Sequence, residues 1–182
     1  MDKYTDDEIL DLFFVENKYE KAFNEIIRKY KKPIYWHIRR MVINHEDADD
    51  LTQDTFVKVW RYLATFKKES KLYTWIYKIA TNETISFLNK KKRFFLFSFH
   101  DVEKQLANSL EDDNFFKGDA IELKLQKAIL SLPQKQRLVF NMKYYDELKY
   151  EEMSDILKTS TGALKASYHI AVKKIEEFIK KY

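Results

Sequence analysis

Apolar residues recur at helical spacing along most of this chain. Thr5-Asp6-Asp7-Glu8 reads as a capping box ahead of Ile9, Leu10, Phe13 and Phe14, and predicts a short first helix over 5–16. Phe23, Ile26, Ile27 and Tyr30 begin a second stripe, which Ile34, Ile38, Met41 and Val42 continue beyond Pro33. The proline either opens a further segment in its first turn or kinks a continuous one. Asn44 is placed to cap a helix carrying Leu51, Thr55, Val59 and Leu63 on one face. The pattern breaks near Phe66 to Lys71. Leu72, Ile76, Ile79 and Phe87 then mark a helix that runs into Lys90-Lys91-Lys92-Arg93.

From about 94 to 119 the periodicity fails. Gly118, scattered aromatics and an acidic cluster read as a linker, with an isolated helix around Val102 to Leu110 as its one local candidate. At 120 the pattern returns. Leu125, Ala128, Ile129 and Leu132 precede Pro133, and Leu138, Val139 and Met142 form the next stripe. Tyr150, Met153, Ile156 and Leu157 make a short helix, followed by the turn Lys158-Thr159-Ser160. A long helix then places Leu164, Tyr168, Ala171, Ile175 and Ile179 on one side.

Composition narrows the fold class. Glycine and proline number two each in 182 residues, about 2% together against roughly 12% in average usage. Sandwiches, barrels and glycine-rich nucleotide loops need more turns than that. An all-α protein of two small helical domains is expected, with residues 1–93 and 120–182 as the domains and 94–119 as the linker. There is no cysteine, which removes disulfides, thiolate zinc sites and thiol chemistry. The longest apolar runs are four residues, too short to span a membrane, and the acidic start lacks a signal-peptide core. A cytoplasmic location without membrane insertion is expected. The net charge of +4 is uneven: residues 1–93 and 120–182 are each net +4, and 94–119 are net −4. Two basic modules flanking an acidic tether suit polyanion partners.

Three constellations carry candidate chemistry. The C-terminal short helix, turn and longer helix have the helix-turn-helix layout. The longer helix shows Thr161, Lys165, Ala166, Ser167, His169, Ile170 and Lys173 outward, small residues and donors that suit close approach to a duplex. Spacing of this kind also occurs in ordinary helical hairpins. The run Glu46-Asp47-Ala48-Asp49-Asp50-Leu51-Thr52-Gln53-Asp54 has five carboxylates and no base, with Asp47, Asp50 and Asp54 on one face. It reads first as a solvated helix start favoured by the helix dipole, then as a docking surface, then as a magnesium site. Residues 58–93 carry ten basic groups and two acidic ones, interleaved with Trp60, Tyr62, Phe66, Tyr73, Trp75 and Tyr77. Such a surface suits nucleic acid. Tryptophan's usual burial favours Trp60 and Trp75 as core residues beneath it. The four histidines are too scattered for a helical metal pair, and no hydrolase, P-loop or dinucleotide fingerprint occurs.

Over about residues 18–182 the chain resembles the extracytoplasmic-function group of the bacterial sigma-70 family. DADDLTQDTFVKVWRYLATF is similar to the family's polymerase-docking helix, and SKLYTWIYKIATNETISFL to its −10-element helices. LPQKQRLVFNMKYYDELKYEEMSDILKTSTGALKASYHIAVKKIEEF is similar to its −35-reading domain. The resemblance implies a non-enzymatic transcription initiation subunit without a cofactor, whose partners are core RNA polymerase, through its largest and second-largest subunits, and promoter DNA. Family members are often restrained by an anti-sigma factor. Asp47, Asp50, Leu51, Gln53, Asp54 and Phe56 would lie on or beside the docking surface for the clamp helices of the largest subunit. Phe66, Lys67, Lys68, Ser70, Lys71 and Asn82 would surround a base flipped from the −10 strand, with Lys78, Lys90, Lys91, Lys92 and Arg93 on phosphates. The helix from Thr161 would enter the −35 major groove. The family often has Asp where Ser86 stands, Arg where Asn89 stands, and arginines at Ser167 and Ile170. Fewer bidentate donors imply more backbone and shape readout. Two rivals remain at this point: a stand-alone helix-turn-helix regulator, which leaves 46–93 idle, and a magnesium-dependent enzyme built on the acidic run.

Overall fold

A computed structural model describes residues 4–94 and 120–181, with the side chains of 92–94 excepted. The expected linker helix at Val102 to Leu110 lies outside the described residues. Among those described there are eight α-helices and no strand.

Helix α1 (Asp6–Phe14) starts as its sequence dictates. The Thr5 hydroxyl accepts from the Glu8 amide, and the Glu8 carboxylate accepts from the Thr5 amide at 2.7 Å. Its Ile9, Leu10, Leu12 and Phe13 are all buried, so α1 is a strut against the next helix. Helix α2 (Tyr19–Val42) runs through Pro33 as one element, which excludes a second helix opened by the proline. The apolar stripe on both sides of Pro33, with Ile26, Ile34 and Ile38 fully buried, outweighs the loss of one backbone hydrogen bond. Ile43 ends α2 at φ 64°, an uncommon conformation for a β-branched residue, held by complete burial of its side chain.

Asn44 caps α3 (His45–Tyr62) by accepting from the Asp47 amide at 2.9 Å. Leu51, Thr55 and Val59 face inward from α3, and Leu63 does so from the 3-10 turn that follows. Residues 66–71 form the expected break, with Lys68 at φ 56°. Helix α4 (Leu72–Phe94) packs across α2 and α3.

The C-terminal module has α5 (Ala120–Leu130), α6 (Gln134–Tyr144), α7 (Tyr150–Leu157) and α8 (Thr161–Lys181). Lys158 closes α7 in the left-handed conformation, φ 52° and ψ 41°. The Ser160 hydroxyl then accepts from the Ala163 amide and starts α8. Leu164, Ala171 and Ile175 point inward, but Ile179 is exposed. The expected stripe stops one turn early because the helix outruns its partners.

The two modules are not held apart. Buried residues of α6 and α7, among them Leu138, Met142, Met153 and Ile156, join the same apolar cluster as Ile38, Met41 and Ile76 of the N-terminal module. A second, smaller core lies under α5, α6 and α8 around Ile129, Phe140 and Ile175.

Candidate nucleic-acid interface

The carboxylates of the acidic run divide by direction. Asp50, Gln53 and Asp54 are exposed on the outer face of α3. Asp47 turns toward α4, where Lys91 donates to it at 2.9 Å. Two expected site residues thus bind each other, one from the docking set and one from the phosphate set. Leu51 and Phe56 are buried and underlie this face rather than projecting from it. Among the described residues no group of three or more His, Asp or Glu is placed to hold a metal ion.

Beside these residues, α2 and α3 leave a groove of about 660 Å³, floored by Phe23, Ile27 and Phe56 and edged by Gln53, Val57 and Trp60. Trp60 is 45% exposed and leans on Phe23 with ring centroids 4.9 Å apart. It is not the core tryptophan that composition suggested. A Trp three residues after Val57 and four after Phe56 sits at the edge of the helical stripe, where period alone does not decide burial.

A second pocket, about 330 Å³, opens between the 66–71 loop and α4. Phe66 and Trp75 form its apolar wall, centroids 5.2 Å apart, and Ser70, Thr74 and Lys78 add polar atoms. Trp75 is half-buried as that wall. Lys67, Lys68 and Lys71 are exposed around the loop, and Asn82 and Lys90 continue along the outer face of α4. The main-chain positions of Lys92 and Arg93 extend that helix, while their side chains lie outside the described residues. Lys68 lies 5.8 Å from the Phe14 ring centroid, so α1 braces the loop. Glu69 lines the pocket too, as do Asp155 and Lys158 from the other module, so two lysines and two carboxylates edge it; Glu69, Thr74, Trp75, Asp155 and Lys158 were not among the expected site residues.

On α8, Lys165, Ala166, His169, Ile170 and Lys173 are exposed, and Thr161 and Ser167 are half-buried. Lys165 stands 5.6 Å from the Tyr150 ring centroid, which ties the recognition face to α7. The helix-turn-helix is therefore formed, with its outward face free of the core.

Where the modules meet, several polar groups pair across the contact. His37 Nδ1 lies 2.6 Å from Asp146 Oδ2, and its Nε2 lies 3.0 Å from the Thr81 hydroxyl. Arg40 donates to Asp146 Oδ1 at 3.1 Å and covers the Tyr145 ring. Lys71 donates to Glu152 at 2.9 Å. Burial pushes the phenols of Tyr73, Tyr77 and Tyr145 far up, so all three stay protonated.

A helical chain with an exposed lysine-rich loop beside an aromatic-walled pocket and a helix-turn-helix in its second module has the layout of a two-module DNA-binding protein. Residues 26–94 match sigma-70 region 2, and residues 122–175 match sigma-70 region 4. The chain is 33% identical over 158 residues to the ECF RNA polymerase sigma factor SigW of Bacillus subtilis, covering 82% of this chain and 84% of the relative. It is 28% identical over 157 residues to the RNA polymerase sigma-H factor of Pseudomonas aeruginosa, covering 81% and 80%. Among solved structures, the sigma factor RpoE of Bartonella quintana, in complex with the anti-sigma factor NepR, has the same fold. Its TM-score is 0.69 at 21% identity, covering 88% of this chain and 98% of that one. The chain belongs to the extracytoplasmic-function RNA polymerase sigma factors, which direct promoter recognition and transcription initiation.

Proposed function

We propose that the exposed face of α3 docks core RNA polymerase, that the pocket between the 66–71 loop and α4 receives a flipped base of the −10 element, and that α8 reads the −35 element. The single observation that carries this reading is the pocket. It joins an aromatic wall, Phe66 and Trp75, to Lys78, with Lys67, Lys68 and Lys71 exposed on the adjoining loop. Flipping a base costs a few kcal/mol of stacking and pairing, and aromatic stacking returns about 1–3 kcal/mol per base. Lys78 and the exposed lysines around the loop supply phosphate contacts.

For docking, the groove edged by Gln53, Val57 and Trp60 gives an apolar anchor beside the carboxylates of Asp50 and Asp54. A basic, partly apolar helix pair of the polymerase's largest subunit fits that combination. The second-largest subunit is the expected partner of the C-terminal module. Residues 1–93 and 120–182 act as the docking and −10 domain and the −35 domain, joined by 94–119. The chain works by binding, uses no cofactor, and acts in the cytoplasm where the polymerase is; no helix among the described residues is long and apolar enough to cross a membrane. One structural neighbour was solved with an anti-sigma factor, and this chain is expected to accept such a regulator.

The docking part is tested by gel filtration with core polymerase. The wild type co-elutes, and Asp50→Lys with Trp60→Ala does not. Co-elution of that double variant at wild-type affinity refutes the assignment of this face. A stand-alone regulator leaves the region 2 match at residues 26–94 without a role and is not favoured.

A further inference from the structure

The 66–71 loop holds one residue in a backbone conformation that its side chain disfavours. Lys68 has φ 56°, in the left-handed region where a Cβ is crowded and glycine is the usual occupant. The factor against a residue with a side chain is roughly five- to thirtyfold. Such a residue persists only where its surroundings fix it. Lys68 stands between Phe66 and Ser70, which both line the pocket, so its bend sets the shape of that wall.

What the surroundings offer Lys68 is the end of α1. Its ammonium lies 5.8 Å from the centroid of the Phe14 ring. An exposed contact of this kind shifts an equilibrium by roughly two- to fivefold, too little to hold a module together and enough to bias a loop. Phe14 is 38% exposed, so its ring adds little to the core. The ring is nevertheless fixed. It meets the buried Phe13 edge to face, centroids 5.0 Å apart, and Phe13 in turn meets Tyr19 at 4.9 Å. The other end of α1 is tied to α2, where Asp6 accepts from Lys29 at 2.7 Å and from the Tyr30 hydroxyl.

The charge of α1 argues against direct contact with nucleic acid. Residues 5–16 carry five carboxylates, Asp6, Asp7, Glu8, Asp11 and Glu16, and no lysine or arginine, so they repel a phosphate chain. The helix also precedes the stretch matched to region 2, residues 26–94. Its influence on DNA has to pass through the loop that it touches.

We propose that Phe14 is a positioning residue for promoter opening: its ring holds the Lys68 ammonium, the pair keeps the 66–71 loop in its left-handed bend, and that bend keeps the pocket shaped for an extruded −10 base. This inference rests on the reading of that pocket as the −10 site.

The experiment uses holoenzyme assembled from core RNA polymerase and the full chain. The probe is a promoter that the wild-type holoenzyme transcribes, with 2-aminopurine in its non-template −10 strand, which brightens when its base leaves the stack. Phe14→Leu keeps an apolar side chain and loses the ring face. It should lower the opening equilibrium by roughly threefold or more, with co-elution with core polymerase unchanged. Phe14→Tyr keeps the ring and should stay within twofold of wild type. Lys68→Gly and Lys68→Ala both remove the ammonium, but only glycine removes the cost of the bend, so Lys68→Gly should open the promoter at least threefold better than Lys68→Ala. In the free chain, the Lys68 ε-methylene protons should resonate upfield under the ring current of Phe14 or Phe14→Tyr, and near the ordinary lysine position in Phe14→Leu. A Lys68 resonance that Phe14→Leu does not move overturns the contact. Equal losses of opening in Phe14→Leu and Phe14→Tyr overturn the positioning role, and so does a Lys68→Gly variant no better than Lys68→Ala. Should Phe14→Leu lose its helical circular dichroism, the two Lys68 variants decide alone. Failure of the −10 reading itself looks different: the Lys68 resonance then moves in Phe14→Leu as expected, while neither that variant nor Lys78→Ala alters opening. Wild-type opening in Phe14→Leu beside impaired opening in Lys78→Ala overturns the proposal and leaves the −10 reading intact.

Discussion

Asn82 is an exposed amide one helical turn beyond Lys78, on the face of α4 that continues from the aromatic pocket. An amide there offers a donor and an acceptor to a base edge, and Asn82→Ala should reduce −10 discrimination by about 1–3 kcal/mol. Competition binding of holoenzyme to promoters with single −10 changes measures it, and an unaltered base preference contradicts the assignment. If α8 enters the −35 groove as proposed, Lys165 contacts phosphate, and Lys165→Ala should weaken −35 binding across sequences and lower its salt dependence. Thr5 has a structural role: its hydroxyl caps α1, so Thr5→Ala should cost about 1 kcal/mol in denaturant unfolding with start-site choice intact. At this scale the sequence was readable wherever the partner is near. The Thr5–Glu8 box and the Asn44 cap are three residues wide. The exposure of Trp60 was not readable, since it depends on where α2 leaves a groove. His37 and Asp146 are 109 residues apart, and no local pattern announces their meeting.

Each helix buries one stripe, and the energetics follow that stripe. Ile76 on α4 is fully buried between the modules' shared cluster and α2, so Ile76→Ala should lose about 2–5 kcal/mol by chemical denaturation. A loss below about 1 kcal/mol would mean that the site is not packed as described. The short α7 is held partly by charge. Burial works to raise the Glu152 carboxyl, but hydrogen bonds from Lys71 and the Lys149 amide outweigh it and hold the pKa below the usual glutamate value. Because the folded value is the lower one, this stabilisation is complete above the unfolded value near 4.5 and fades as pH falls through the folded value. The stability difference between wild type and Glu152→Gln should therefore shrink toward zero at acid pH; a difference that grows on acidification contradicts the pairing. Helix positions were legible because their apolar period is strong and turn residues are few. Continuity across Pro33 was not, because a proline signal is local while the packing that overrides it is tertiary.

At the scale of the molecule, sequence blocks in order implied two modules and a connection, and the charge alternation implied polyanion partners. How the modules sit together was not implied, since Leu138, Met153 and Ile156 read equally well as the private core of a C-terminal domain. Polymerase docking would hold the modules at promoter spacing and raise the effective concentration of each weak DNA contact once the other is made. As a sigma factor, this chain supplies promoter choice to a polymerase that lacks it. In vitro transcription by core RNA polymerase over a promoter library, with and without the purified chain, tests it most directly. A defined set of new start sites should appear with the chain and be lost in the Asp50→Lys, Trp60→Ala double variant. An identical start-site profile in the presence and absence of the chain would contradict it.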